Sequence, residues 1–243
     1  MPHQLVQIGL DRFNHPHSQD VHLVPNDAAN IFLSNLDKSP HAFVLACLMD
    51  RQIYAEKAWM IPFTVCQELN IFDIDELSSV AQYEFQRIFE RRRLHRFNIK
   101  MSKIFYNGIK DIMEKYQGRA SLIWENRPSS ASVVYRFMQF KGSGIKISTM
   151  AANILARQFR IPFSDYYSID ISPDIHIKRV MKRVGLIPNN SNNEMIAYKA
   201  RELNPEFPGI IDYSCWEIGR TWCRPTKPNC QDCLINESCL KII

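Results

Sequence analysis

The chain has 243 residues, 46% of them hydrophobic and 23% charged, which is enough for one large domain or two modest domains with real cores. Thirty Lys and Arg against 25 Asp and Glu give a formal net charge of +5, a mild bias that favours a polyanionic partner without establishing one. No apolar run approaches the ~20 residues of a membrane span, and the N-terminus lacks a secretory signal pattern, so we expect a cytoplasmic protein with no membrane association.

Helical periodicity runs through most of the chain. Asn26 or Asp27 is the expected N-cap of a helix that continues to Leu33. The nearly all-apolar segment 41–49 should be a buried helix. Further helices are predicted over 52–69 (interrupted near Pro62), 79–92, 99–116, 130–140, 146–159, 175–184, 193–203 and 210–222. Since no segment has a convincing strand pattern, the sequence predicts an all-α fold.

Two glycines one residue apart, Gly142 and Gly144, lie between the predicted helices 130–140 and 146–159. Glycine at these positions allows a turn with positive φ and a close backbone approach. The helix that follows begins with unpaired N–H groups, which can hold a phosphate. A Gly-x-Gly pair alone more often marks an ordinary turn between helices, so the spacing indicates a candidate phosphate contact and no more.

Basic residues are concentrated in three stretches. A single run of this kind is usually a solvated helix face, whereas three runs close to candidate site residues favour contacts with a phosphate backbone. The three runs are Arg91, Arg92, Arg93, Arg96 and Lys100; Lys178, Arg179, Lys182 and Arg183; and Arg220, Arg224 and Lys227.

Four cysteines, Cys223, Cys230, Cys233 and Cys239, follow one another as Cys-x6-Cys-x2-Cys-x5-Cys. Clustered thiolates in a reducing compartment indicate a metal centre and not disulfides, and an all-sulfur ligand set selects iron–sulfur clusters or zinc. Structural zinc sites usually contain two Cys-x2-Cys pairs, and this chain has one. The spacing therefore favours a 4Fe–4S cluster, with zinc as the alternative.

Motifs in this order are found in a known family. Gly-Ser-Gly-Ile-Lys at 142–146, Pro-Asp-Ile-His at 173–176 and the cysteine motif at 223–239 together resemble the endonuclease III-like DNA glycosylases, the helix-hairpin-helix (HhH-GPD) superfamily of base excision repair. The resemblance extends from about Ala28 to Cys239. It implies two α lobes: a helical barrel over 26–145, and a discontinuous lobe of 1–25 plus 146–243 that carries a structural iron–sulfur cluster in the loop 223–239.

The resemblance also implies the catalytic residues. Lys146 matches the family's catalytic lysine, whose neutral amine attacks C1′, releases the base and leaves a Schiff base that permits β-elimination. Asp174 matches the catalytic aspartate, which stabilises positive charge on the sugar. Two simpler roles remain open: Lys146 as a phosphate-binding residue, and Asp174 as the N-cap of a helix that begins at Ile175. Asp170 is a rival carboxylate.

Contacts to DNA are carried over in the same way. Gln52 is the candidate to fill the gap left by an extruded base, and Leu94 or His95, next to Arg96, is the candidate wedge. The amides of Gly142 and Gly144 are expected to grip phosphate, with added charge from the loop residues Arg224 and Lys227. An insertion around 160–172 brings Tyr166 and Tyr167, which could stack on the base or serve only in packing.

The expected function is that of a monomeric DNA glycosylase with AP lyase activity. Its partner would be double-stranded DNA that contains a damaged base, an oxidised pyrimidine in the first place, or an abasic site. The alternatives are a monofunctional glycosylase for mismatched, deaminated or alkylated bases, a non-enzymatic iron–sulfur DNA-binding protein, and a zinc-stabilised helical scaffold.

Overall fold

The computed structural model describes residues 2–15 and 21–242, and every regular element within these ranges is a helix, as predicted. None of the described helices combines the length and the apolar character needed to cross a membrane. Three short 3-10 helices in the same ranges cover Ala120–Ile123, Pro208–Ile211 and Asn236–Ser238. The α-helices are α1 (Pro2–Asn14), α2 (Asp27–Ser34), α3 (Pro40–Met49), α4 (Ala55–Leu69), α5 (Ile74–Ser78), α6 (Gln82–Arg92), α7 (Asn98–Tyr116), α8 (Ser130–Met138), α9 (Ile145–Arg157), α10 (Ile175–Arg183), α11 (Asn193–Leu203) and α12 (Asp212–Thr221).

The described residues form two compact units. The hairpin unit consists of the described part of Asp20–Pro128 together with Tyr135–Ala151, and the cysteine unit consists of the described parts of Met1–Gln19 and Ala152–Ile243 together with Ser129–Val134. The expected lobe boundary after residue 145 differs from this division, because α8 and α9 each contribute residues to both units.

The core of the hairpin unit is built around α3, in which every side chain is buried. This helix packs against α2, α4 and α7. Phe43 lies at its centre, with ring centroids 5.8 Å from Trp59, 5.9 Å from Trp124 and 6.4 Å from Phe137. The expected buried helix over 41–49 is therefore confirmed, and aromatic side chains supply much of the apolar area that holds this unit together.

Helix starts follow local capping chemistry where it is strong. Asn26 is the N-cap of α2, and its side chain accepts from the Ala29 N–H at 2.8 Å. The predicted start at residue 52 is wrong, because Gln52 has a φ of 56° and α4 begins only at Ala55. The predicted interruption is wrong too: Pro62 is buried inside a continuous helix, where packing compensates for one missing backbone hydrogen bond.

Two of the described α-helices, α1 and α5, were not predicted from the sequence. Segment 79–92 was expected to be one helix, whereas α5 ends at Ser78 and α6 begins at Gln82, so the capped turn of α5 precedes a shorter α6. Helix α1 was not predicted from the sequence. It forms against α12 and the 3-10 helix Pro208–Ile211, with Leu5 fully buried.

In the cysteine unit, α10 packs closely against α12. Gly219 makes this approach possible, because a Cβ at that position would lie 2.7 Å from the His176 Cβ and 3.0 Å from the His176 Cα. A side chain there would force the two helices apart. The contact fixes the first turn of α10, and therefore the position of Asp174, relative to α12.

His41 in α3 is expected to make the stability of the protein depend on pH. Its side chain is buried, with Nε2 3.1 Å from the Phe72 carbonyl oxygen, and burial lowers its pKa from 6.5 to about 4. An unfolded histidine binds a proton below pH 6.5, so the stability contributed by neutral His41 is complete above that pH and is lost as the pH falls through about 4. The loss should reach about 3 kcal/mol.

Urea unfolding of wild type and His41→Gln at pH 7 and at acidic pH measures this effect. Glutamine can still donate to the Phe72 carbonyl but does not titrate, so the variant should lose less stability on acidification. His22→Gln is the matched control, since His22 is exposed. Equal losses in wild type and His41→Gln would show that His41 is not the titrating group.

Candidate active site and cysteine centre

The glycine hairpin joins α8 to α9 and requires glycine at its first position. Gly142 has a φ of +94°, and a Cβ there would lie 2.9 Å from the Ile104 Cδ1. Its carbonyl oxygen accepts from Arg51 Nη1 at 2.9 Å. At Gly144, in contrast, a Cβ would meet no described atom within 4 Å. The open side at Gly144 leaves room for a ligand next to the first turn of α9.

Lys146 is exposed in the first turn of α9. The residues that follow it are buried and anchor the turn: Ser148 Oγ donates to the Gly144 carbonyl at 3.1 Å, and Thr149 Oγ1 donates to the Ile145 carbonyl at 2.9 Å. Lys146 is therefore an exposed residue on a rigid helix start, an arrangement suited both to phosphate binding and to nucleophilic attack.

Gln52 lies in the turn between α3 and α4, where its side chain is exposed. The neighbouring Arg51 fixes this turn, since its side chain binds the Gly142 carbonyl and its own carbonyl oxygen is 2.9 Å from His95 Nε2. Gln52 thus projects from an anchored loop and not from a helix start, and its role as a filler of the DNA stack stays a prediction.

Leu94 and His95 do not project from their loop as the wedge role would require. They are 8% and 2% exposed. His95 Nδ1 accepts from the Phe97 N–H at 3.1 Å while Nε2 faces the Arg51 carbonyl, so the ring is neutral with its proton on Nε2. Burial, aided by nearby cations, lowers the pKa of His95.

Phe97 is the apolar side chain that this loop exposes. It is 42% exposed, and the Arg96 guanidinium carbon lies 4.8 Å from the centre of its ring. The sequence analysis did not select Phe97, because nothing in the sequence distinguishes it from Leu94 as the outward-facing residue. The one sequence feature that could have indicated Phe97 is that it directly follows Arg96, a candidate DNA contact.

Asp174 is the N-cap of α10, so the simpler role considered for it is realised. Its Oδ1 accepts from the backbone N–H groups of His176 and Ile177, both at 2.8 Å. The cap holds the carboxylate rigidly through one of its two oxygens, which is compatible with a catalytic role for the group.

The rival carboxylate, Asp170, is engaged elsewhere. It is buried, and its two oxygens accept from Arg201 Nε at 2.8 Å and from Arg201 Nη2 at 2.7 Å. A bidentate pair of this kind holds both oxygens in a structural interaction. Asp174 is therefore the better candidate of the two for chemistry.

The two tyrosines of the 160–172 segment have different surroundings. Tyr166 stacks on Phe207 with ring centroids 4.9 Å apart and meets Phe13 edge-on at 5.6 Å. It therefore belongs to the packing of the cysteine unit. Tyr167 is 61% exposed and is the tyrosine of the pair that a ligand could reach without rearrangement.

Several cations of the first two basic runs are committed to other protein groups. Arg91 and Arg92 both pair with Glu68. On α10, Arg179 Nη2 donates to the Gly219 carbonyl at 2.8 Å, and Arg183 Nη1 donates to the Arg224 carbonyl at 2.6 Å. Arg179 and Arg183 thus hold the polypeptide beside the first cysteine of the motif, a role that the sequence analysis missed.

Arg224 and Lys227 are exposed in the third run. Lys227 has a φ of 51°, so it marks a tight turn between the first two cysteines of the motif. Both residues remain available for the backbone contacts expected of them.

The four cysteines of the motif are free, half-exposed thiols. Burial raises the pKa of Cys233, the backbone of Ile235 lowers it through a hydrogen bond, and the charges of Cys223, Cys239 and Cys230 raise it. Arg183 Nη1 lies 3.6 Å from the Cys223 sulfur. Donors of this kind stabilise thiolates. Among the described residues, no three His, Cys, Asp or Glu side chains converge on a point that could hold one metal ion.

Comparison with known proteins reveals similarity at the level of structure. No protein-family model and no curated protein matches the sequence. A trapped endonuclease III–DNA covalent intermediate, an estranged-adenine complex, matches with a TM-score of 0.62 and 15% identity over 99% of this chain and 96% of that one. A non-covalent endonuclease III–DNA complex gives 0.63 and 15% over 99% and 96%, and a thermostable thymine-DNA glycosylase gives 0.64 and 14% over 98% and 94%. The chain thus has the endonuclease III fold over nearly its whole length, as predicted.

Proposed function

We propose that this protein is a DNA glycosylase that removes a damaged base from duplex DNA and cleaves the resulting abasic site by means of a lysine nucleophile. The observation that carries the proposal is an exposed lysine, Lys146, in the first turn of the helix after a glycine hairpin, in a chain with the endonuclease III fold. A covalent endonuclease III–DNA intermediate is among the structures that the chain resembles.

Asp174 serves the first step, breakage of the N-glycosidic bond. Positive charge develops on the deoxyribose as this bond breaks, and a carboxylate held by two backbone N–H groups can stabilise that charge without reorganising. One oxygen belongs to the cap of α10. The group therefore offers a fixed negative charge at the start of a rigid helix.

Lys146 serves the covalent step. Its neutral amine attacks C1′ as the base leaves with its bonding electrons; the bond from C1′ to the ring oxygen O4′ then breaks, O4′ takes up a proton, and the opened sugar is held as a Schiff base. Removal of a C2′ proton then expels the 3′ phosphate. The anchored first turn of α9 supports this role, because it holds the lysine backbone in place while the long side chain reaches the sugar.

Contacts to DNA come from the exposed loops of the hairpin unit. The open side of Gly144 and the first turn of α9 offer backbone amides to a phosphate, and Gln52 is exposed next to an anchored turn. Because Leu94 and His95 are buried, we assign the wedge that enters the base stack to Phe97.

The four cysteines 223, 230, 233 and 239 would hold a 4Fe–4S cluster. All four are free thiols, Cys233 interacts electrostatically with the other three, and Arg183 Nη1 lies 3.6 Å from the Cys223 sulfur. The presence of one Cys-x2-Cys pair, and not the two usual in structural zinc sites, favours a cluster over a single zinc ion. Such a cluster supplies structural and electrostatic support to a basic loop, since base removal needs no redox step.

A monofunctional glycosylase is the second candidate. It is favoured by the similarity to a thymine-DNA glycosylase, which is as close as that to endonuclease III. In this version Asp174 activates a water molecule, and Lys146 only binds phosphate. A non-enzymatic DNA-binding protein would need neither residue.

The proposal predicts a covalent product with damaged DNA. Purified protein is incubated with duplexes that each carry one lesion (an oxidised pyrimidine, a uracil or thymine mismatch, an alkylated base or an abasic site) and borohydride is added. We expect a protein–DNA band that resists denaturation, strongest for the preferred lesion and present for the abasic site. An undamaged duplex of the same sequence is the control.

The other outcomes separate the alternatives. Base release without a covalent band would assign the protein to the monofunctional class. If no duplex of the panel loses its base and none is trapped, although the protein binds DNA, the enzymatic proposal is wrong.

A further inference from the structure

A second carboxylate in the cysteine unit, Asp212, contacts the segment that leads to Asp174. It is the first residue of α12, and its Oδ2 accepts from the Ser172 backbone N–H at 2.5 Å. Ser172 is buried and stands two residues before Asp174. Asp212 therefore holds the chain directly before the cap of α10.

The same segment is clamped further upstream. The Gly209 N–H donates to the Ile169 carbonyl at 2.6 Å, and the buried amide of Asn153 donates to the Gly209 carbonyl at 2.8 Å. Together with the Asp212 contact, these bonds tie 169–172 to the stretch that precedes and begins α12. The approach to Asp174 thus has two attachments, of which the nearer one is a carboxylate.

Charged groups from two other elements face Asp212. Burial raises its pKa to about 6, the Ser172 N–H lowers it, the charge of Asp174 raises it, and the guanidinium of Arg157 in α9 lowers it. On α12 itself, Cys215 lies within its electrostatic reach, and Tyr213 stacks under Arg157 at 4.1 Å. Arg12 in α1 stands near Arg157. With a pKa of about 6, Asp212 would carry a negative charge at pH 7.5, and Asp174 and Arg157 are charged groups that interact with it.

The hydrogen bond to Ser172 by itself would not need this charge. Asparagine could accept the same Ser172 N–H without the cost of an ionised group in a confined place beside a second carboxylate. Groups held at such a cost are concentrated where they serve a reaction. The arrangement therefore favours a function for the negative charge of Asp212.

We propose that Asp212 is a positioning residue for Asp174: through Ser172 it fixes the approach to the α10 cap, and its charge adds to that of Asp174 where positive charge develops on the sugar. This inference rests on the proposed glycosylase function. Asp212 touches no reacting atom, so its contribution is exerted through the placement and the electrostatic surroundings of Asp174.

The test compares Asp212→Asn, Asp212→Ala and Asp212→Glu with wild type in single-turnover base release between pH 5 and 8.5, on whichever lesion wild type processes. Asp212→Asn keeps the acceptor for Ser172 and loses the charge. We expect it to release the base about 10- to 100-fold more slowly at pH 7.5, with DNA affinity changed less than about threefold. Asp212→Ala should lose more, and Asp212→Glu should recover part of the rate.

Two further measurements, the pH dependence of the rate and the melting temperature, distinguish this role from a structural one. The wild-type rate should rise with pH through about 6 as Asp212 ionises, and this rise should be absent in Asp212→Asn. Since the raised pKa means that ionised Asp212 lowers stability above that pH, Asp212→Asn should melt no lower than wild type at pH 8. Glu217→Gln, on the same helix and paired with Arg12 at 2.5 Å, is the matched control and should keep the wild-type rate.

Three results would overturn the inference. If wild type is active and Asp212→Asn has the same rate and pH profile, the positioning role of Asp212 is wrong and the proposed function stands. A loss of rate matched by a loss of melting temperature assigns Asp212 to the fold alone. A wild type that neither releases a base nor forms a trapped product on the lesion panel refutes the proposed function, and the inference with it.

Discussion

Replacement of Lys146 by glutamine is expected to lower the yield of borohydride-trapped protein–DNA complex by at least about 1,000-fold. An amide nitrogen cannot form a Schiff base, and no other side chain in the first turn of α9 carries an amine. Glutamine can still donate a hydrogen bond to phosphate, so binding to a lesion duplex should weaken by less than about threefold. Trapped yield and binding affinity are measured on the same duplex.

Lys141→Gln is the matched control for this variant. Lys141 is exposed in the same hairpin, five residues before Lys146, and has no assigned role in the chemistry. It should retain full trapping, although its loss can reduce affinity slightly at low salt. Persistent trapping in Lys146→Gln would identify another amine as the nucleophile.

The elements that sequence analysis predicted well are those whose signals are local. Asn26 caps α2 as expected, and the apolar run of α3 is buried along its length. The cap at Asp174 follows from the same local chemistry. Helix α1 and the start of α4 were missed because they depend on contacts or backbone conformations that no local pattern encodes.

Tertiary contacts also explain why two candidate site residues, His95 and Tyr166, are packed against other parts of the protein. His95 is buried because its ring bridges the Arg51 carbonyl and the Phe97 N–H, and Arg51 is 44 residues away in sequence. Tyr166 packs against Phe207 and Phe13, which lie far from it along the chain. Exposure of a side chain is a tertiary property, so a motif can locate the loop without identifying which residue faces outward.

Arg51 connects three loops proposed to contact DNA. Its side chain binds the carbonyl of Gly142 in the hairpin, its carbonyl oxygen receives His95 from the wedge loop, and it directly precedes Gln52. Arg51 thus fixes the relative positions of the glycine hairpin, the loop that carries His95 and Phe97, and Gln52 within the hairpin unit. This arrangement suits a surface that must be preorganised to hold an opened duplex.

Substitution of Cys233 by serine is expected to remove the metal centre and destabilise the cysteine unit by more than about 3 kcal/mol. Serine is a hard ligand that replaces thiolate poorly. The loop 223–239 would then depend on protein contacts such as those of Arg179 and Arg183 with its backbone and of Gln4 with Leu234 and Ser238. Iron and sulfide content, visible absorbance and urea unfolding measure the effect, and limited proteolysis should cut first within the loop.

Cys215→Ala is the matched control, since Cys215 is a fully buried thiol eight residues before Cys223 and has no expected ligand role. It should keep its iron and colour and lose only the stability due to a small cavity, about 1 kcal/mol. A colourless wild type that contains one zinc per chain would support the zinc scaffold in place of the cluster. If Cys233→Ser keeps its iron and its stability, the four cysteines do not act as one ligand set, and the basic loop must be held by the arginines of α10.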